Sequence, residues 1–206
     1  MKRTKITVLA CAVWLAGVCP ASMAQTPDCK TLENVGLDGL VSYLSDTLPN
    51  EGNADCVTFA IDNIARYRYE PAINALTRLL DFRRPPSALE KLHYTVHLPS
   101  IDYMYPAADA LEEIAEVSKK GAPAVLEAIR SSSSSTTARE NAVYVWMDIH
   151  RRKPSTGIRL LRQEAIATAD PAVKENLKWA LSRAPTWCLN PKDKVRCRAA
   201  ATIAKP

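Results

Sequence analysis

Two histidines four residues apart, His93 and His97, with Asp102 just beyond them, come closest in this chain to a metal site by type and spacing. In a helix or a strand, positions i and i+4 share a face, so both imidazoles can meet one divalent ion. The stretch reads His93-Tyr94-Thr95-Val96-His97, however, and lacks the glutamate that serves as general base in a zinc-protease helix. Histidines in so aromatic a setting more often pack and hydrogen-bond, so we assign no metal ligand and no cofactor. Glu112 and Glu113 are neighbours, which on a helix point apart and cannot share one substrate atom. The chain carries no GxSxG, Walker-type or GxGxxG pattern. No residue is nominated as catalytic.

The stretch 83–105 is the strongest address for binding, because it gathers Arg83, Arg84, His93, Tyr94, His97, Tyr103 and Tyr105. Tyr and Arg dominate protein-binding hot spots, and a long connection in a helical protein usually binds something or packs as a lid. The competing reading is an element that folds over the helices and fills a gap. Basic residues also gather after helical stretches, at Arg66 and Arg68, Arg83 and Arg84, Lys119 and Lys120, and Arg151-Arg152-Lys153. The helix macrodipole favours cations there. If alternate helices run parallel, three of these clusters share a rim that would attract anions.

The residues that precede this body carry their own instruction. Lys2, Arg3 and Lys5 lead into the apolar run 6–18, followed by Pro20 and Ala21-Ser22-Met23-Ala24. That order reads as a secretory signal, residues 1–24, cut after Ala24, with the protein periplasmic or secreted. The run is shorter than the roughly 20 residues that span a bilayer, so no stable membrane insertion is expected. Ala16-Gly17-Val18-Cys19 resembles a lipoprotein box, but Val18 is not the small residue such a box places before its cysteine. Without the three signal cations, 24 basic residues face 22 acidic ones, which implies no wholesale binding to nucleic acid. Four cysteines then remain, Cys29, Cys56, Cys188 and Cys197. An even number in an exported chain reads as two disulfides in one of three connectivities, and local pairing would staple each end.

The elements that must position these groups are helices. The chain of 206 residues holds 6 Gly and 14 Pro and is 47% apolar, enough for one domain with a proper core. Leu37, Leu40, Val41, Leu44 and Leu48 keep helical spacing up to Pro49. Asp55 is expected to cap the next helix, with Val57, Ala60, Ile61 and Ile64 as its stripe, and Pro71 to open another through Ile73, Leu76, Leu79 and Leu80. Pro106 starts a helix through Leu111 and Ile114, and one through Val125, Leu126 and Ile129 follows. Further helices are expected at about 137–150, 154–168 and 171–183, the last capped by Asp170. The serines 131–135 read as a flexible connection. Trp146 and Trp179 fall on core positions. The only hint of strand alternation is at 92–98.

Internal repetition organises these helices. Ala60-Ile61-Asp62-Asn63-Ile64-Ala65 returns as Ala110-Leu111-Glu112-Glu113-Ile114-Ala115, and Arg139-Glu140-Asn141-Ala142 as Lys174-Glu175-Asn176-Leu177. The anchors Ala60, Ala110, Ala142 and Leu177 lie 50, 32 and 35 residues apart, and the first interval is long by about the stretch 83–105. With Glu70-Pro71-Ala72-Ile73-Asn74-Ala75-Leu76 as a second helix, and 122–129 similar to it, the region 55–183 resembles short bacterial HEAT-like repeats. It lacks their usual Gly-Asp turn. The resemblance implies an all-α, right-handed array of antiparallel helix pairs, a HEAT-like α-solenoid with disulfide-stapled ends. It makes 25–206 a single domain with an 83–105 insertion and a C-terminal cap or tail at 186–206. It also implies binding or scaffolding more often than catalysis, here of another protein of the envelope. The alternative is a small periplasmic enzyme or ligand carrier with its site under the insertion.

Overall fold

A computed structural model describes residues 29–86, 104–131, 133–188 and 191–202. Among them there are ten α-helices and two short 3₁₀ turns, and no strand. The helices are α1 (Lys30–Glu33), α2 (Leu37–Asp46), α3 (Ala54–Arg66), α4 (Ile73–Arg78), α5 (Pro106–Ala115), α6 (Gly121–Arg130), α7 (Thr136–Ile149), α8 (Pro154–Ala167), α9 (Pro171–Arg183) and α10 (Pro191–Ala201). The stretch 92–98 lies outside the described residues.

The apolar stripes form these helices and bury them. Val57, Ala60, Ile61 and Ile64 on α3 are fully buried, as are Leu76 and Leu80 around α4, Leu111 and Ile114 on α5, and Val125 and Ile129 on α6. Each such Ile or Leu withdraws enough surface from water to stabilise the fold by roughly 1.5–3 kcal/mol. One continuous core runs from Leu40 to Cys197. Alternate helices lie against each other in succession: α3 against α5, α5 against α7 and α7 against α9. The intervening helices bridge them, with α4 on α5 and α6, α6 on α7 and α9, and α8 between α9 and α10.

The helix starts show which local rules won. Asp170 accepts from the backbone N–H of Ala172 at 2.8 Å and of Val173 at 3.3 Å, with Pro171 at the first position. Asp55 does not cap α3. Asn53 holds the cap position, and its side chain is spent on the preceding turn, while Asp55 sits in the first helical turn. Pro71 lies in a 3₁₀ turn, Glu70–Ala72, ahead of α4 rather than within it. Ser135, last of the serine run, caps α7 by accepting from Ala138 N–H at 3.0 Å. Among the described residues near the C-terminus there is a 3₁₀ turn, Ala184–Trp187, and then α10, which packs on α8. Trp146 is core, donating its indole N–H to Gly157 O at 3.1 Å, whereas Trp179 is half-buried beneath the guanidinium groups of Arg139 and Arg183.

Cys29–Cys56 and Cys188–Cys197 form the disulfides, tying the N-terminal turn to α3 and α10 to the residue that follows the 3₁₀ turn Ala184–Trp187. Two disulfides at the ends of an all-helical chain are suited to an oxidising, extracytoplasmic compartment.

Two asparagines bind the tiers together. Asn141 on α7, 1% exposed, donates its amide to Leu80 O at 2.6 Å, just beyond the end of α4. Asn176 on α9 donates to Arg130 O, the last residue of α6, at 2.9 Å and accepts from the Arg139 guanidinium. Each satisfies a carbonyl that a helix C-terminus leaves without an intrahelical partner. They are the same residue in the two copies of the Arg/Lys-Glu-Asn pattern, placed at equivalent points of successive tiers.

Candidate functional site

The turn between α2 and α3 is built by side-chain amides. Asn53 Oδ1 accepts from Asn50 N–H at 2.8 Å, Asn50 Oδ1 accepts from Gly52 N–H at 2.9 Å, and Asn53 Nδ2 donates to Leu48 O at 3.0 Å. This ordered turn leaves Leu48, 86% exposed, standing in solvent. A large apolar side chain held out by a pre-ordered backbone loses little entropy when a partner covers it.

Leu48 sits at a cleft of about 760 Å³ walled by the end of α2, the Asn turn, the end of α4 and the segment that follows α4. Leu44, Ala54, Leu79 and Phe82 are buried along its floor. Charged groups ring the apolar surface. Arg78 donates to Ser45 O at 3.3 Å, covering a carbonyl at the C-terminus of α2. Asp81 accepts from Ser135 Oγ at 2.7 Å and so is tied to the start of α7. Arg83 reaches Met104 Sδ at 3.6 Å and meets no carboxylate among the described residues.

Of the residues singled out in the sequence, Arg83 lines this cleft and is exposed. Arg84 is half-buried, and its backbone N–H donates to Met104 O at 3.0 Å. That bond and the Arg83–Met104 contact bring the two ends of the 83–105 insertion together at the mouth of the cleft. Tyr105 turns inward, packs against the core and precedes α5. His93, Tyr94, His97 and Tyr103 lie outside the described residues. Burial raises the Asp62 carboxyl above its ordinary range, opposed by the nearby charges of Arg84 and then Arg66. The cleft itself gave little sequence signal: Leu48 reads as a helix position, and only the Asn50, Gly52, Asn53 cluster marks a designed turn.

Arg68 and Arg151, from two of the basic clusters, meet through a shared Glu116, but they do not form an open anion stripe. Arg68 binds Glu113 Oε2 through Nη2 at 2.9 Å and reaches Glu116 at 3.4 Å. Arg151 takes Glu116 at 2.5 Å, Asp148 at 3.4 Å and Glu112 at 3.5 Å. Glu112 and Glu113 thus serve different cations, as neighbours on a helix must. Arg68 has φ 47°, the left-handed residue that closes α3: its N–H donates to Ala65 O at 2.8 Å, and Tyr69 N–H to Ile64 O at 3.1 Å. A non-glycine residue there costs about 1 kcal/mol, which the α3–α5 ion pairs help to offset. Nearby, Glu70 receives Lys120 Nζ at 2.6 Å and Ser118 Oγ at 2.6 Å, and these bonds, Lys120 first, hold its carboxyl below the usual range.

No group of three or more His, Cys, Asp or Glu among the described residues is arranged to hold a metal ion. No family model matches the chain, and no curated protein matches it.

Proposed function

We propose that this chain is an exported, non-catalytic binding module of the cell envelope, built as a HEAT-like array of helix pairs, that docks another protein in the cleft beside Leu48 and Arg83. The observation that carries this reading is the cleft's composition. An apolar floor, an exposed leucine on an ordered turn and an arginine that meets no carboxylate among the described residues form an anchor-and-clamp arrangement for a partner segment with an apolar and an acidic side chain. The two described ends of the insertion, Arg84 and Met104, meet beside this cleft.

The succession of α3, α5, α7 and α9, the bridging helices and the repeated asparagine bonds support the repeat architecture. The paired cysteines and the charged-then-apolar start of the chain support export, with the periplasm as the compartment.

The test is affinity capture from the native envelope by the intact protein and by a form in which a short Gly-Ser link joins Arg84 to Met104. The Arg84–Met104 backbone bond makes that closure geometrically mild. We expect one partner enriched by the intact protein and lost from the shortened one, with both forms equally stable. Equal recovery by both, or a shortened form that does not fold, would make the insertion a packing element. The cleft volume also suits a small apolar ligand. Native mass spectrometry with a co-purified small molecule in place of a protein would favour a ligand carrier.

A further inference from the structure

The charges of this chain are segregated along its length. Residues 25–135 hold 10 basic and 16 acidic side chains, whereas residues 136–206 hold 14 basic and 6 acidic. The nearly neutral total hides a molecule that is negative over its first tiers and strongly positive over its last ones. Opposite charges at two ends give a body that turns in a field rather than one that is merely attracted or repelled.

The positive end also handles its cations differently. On the α3–α5–α7 rim, Arg68 and Arg151 are matched by glutamates and an aspartate. Lys194, Arg196 and Arg198 on α10 are exposed and make no ion pair among the described residues. Lys194 and Arg198 face Lys178, Ser182, Thr186 and Thr202 across a groove of about 650 Å³ between α9 and α10. The hydroxyls of Ser182, Thr186 and Thr202 donate to backbone carbonyls of their own segments and Lys178 is paired with Glu175 at 2.6 Å, which leaves Lys194 and Arg198 as the groups able to meet an anion.

The arrangement around α10 is also specific. Cys197 is its buried anchor, held by the disulfide to Cys188. At 100° per residue, the side opposite Cys197 presents Val195, 72% exposed, and Ala199, with Lys194 and Arg198 on one flank and Arg196 on the other. α10 is polar nearly all round, so what it offers a surface is charge: three exposed long cationic side chains flank Val195 and Ala199. The cations reach phosphate headgroups while their aliphatic stems and Val195 lie against the interface.

We propose that the α10 end is a docking face for an anionic phospholipid surface, contacted through Lys194, Arg196, Arg198 and Val195. The contact is peripheral and reversed by salt. Among the described residues no helix is long and apolar enough to cross a membrane. The acidic first tiers are repelled by the same surface, so the molecule stands on its C-terminal end with the cleft beside Leu48 directed away from the lipid. The proposal is independent of what the cleft holds.

The experiment is vesicle co-sedimentation of the oxidised protein, recovered from an exporting host with its N-terminus defined by mass spectrometry. Vesicles are phosphatidylcholine alone or with about one-third phosphatidylglycerol, at roughly 25 mM and roughly 300 mM salt. Binding should require phosphatidylglycerol and fall steeply at the higher salt. Each cation near such a surface contributes roughly fivefold to partitioning, so Lys194→Gln/Arg196→Gln/Arg198→Gln should weaken it roughly 100-fold. Arg152→Gln/Lys153→Gln/Lys119→Gln removes equal charge elsewhere and should leave most of the binding, while Val195→Ser should weaken it without changing the net charge of α10. Helical circular dichroism and a free-thiol assay confirm that each variant is folded and oxidised. Equal binding to both vesicle types, or equal losses from the two triple variants, would overturn the proposal. So would retention on immobilised poly-glutamate with no vesicle binding, which would make the face a site for an acidic protein, or suppression by inorganic phosphate alone, which would make it a site for a free anion.

Discussion

At the scale of single residues, the decisive groups are small polar side chains that close gaps between tiers. Asn141, itself buried, reaches a carbonyl 61 positions away in sequence. Asn141→Ala would leave Leu80 O unsatisfied, and a buried orphan of this kind costs about 1–3 kcal/mol. Chemical denaturation should therefore show an earlier midpoint for this variant, and a similar loss for Asn176→Ala. Glu70 makes a different prediction. Its carboxyl is held below the ordinary glutamate range by Lys120 and Ser118. Its stabilising share is present above the unfolded-state value and is lost as pH falls through the lower folded-state value. In melts from neutral pH into acid, wild type should lose stability relative to Glu70→Gln, the gap between them closing at the acid end. A constant gap would show that the ion pair contributes nothing.

At the scale of elements, the apolar periodicity defines nearly every helix because burial and period coincide. The stripes Val57–Ala60–Ile61–Ile64 and Leu111–Ile114 are buried where their spacing places them. Caps were less legible. Asp55 has the right chemistry, but the chain needed Asn53 to hold the turn that exposes Leu48, and a tertiary demand displaced the local rule. The last helix was hidden for a related reason. α10 carries charged residues nearly all round with Cys197 as its buried contact, so it has no stripe to read. Its attachment combines packing on α8 with the disulfide that closes the nine-residue interval from Cys188. Cys188→Ser/Cys197→Ser should cost roughly 3 kcal/mol by loop entropy and raise hydrogen exchange in 191–201 ahead of α3–α7. Uniform exchange along the chain would contradict that local dependence.

At the scale of the whole molecule, the pattern Arg/Lys-Glu-Asn made the repetition visible before the bonds of Asn141 and Asn176 gave it a physical reason. The candidate site was legible only in part. Arg83 stands out because it opens an insertion bearing Tyr, His and Arg that interrupts the repeat spacing, whereas the floor of the cleft comes from three separate segments that only the fold brings together. The account therefore stands or falls on the cleft. The most direct measurement places a photo-crosslinking side chain at Leu48, with Ile166 on α8, also an exposed apolar residue, as the control, and irradiates intact cells. The account predicts one protein adduct from position 48, absent from position 166 and abolished by Arg83→Glu. No adduct at position 48, or the same adducts at both positions regardless of Arg83, would contradict it.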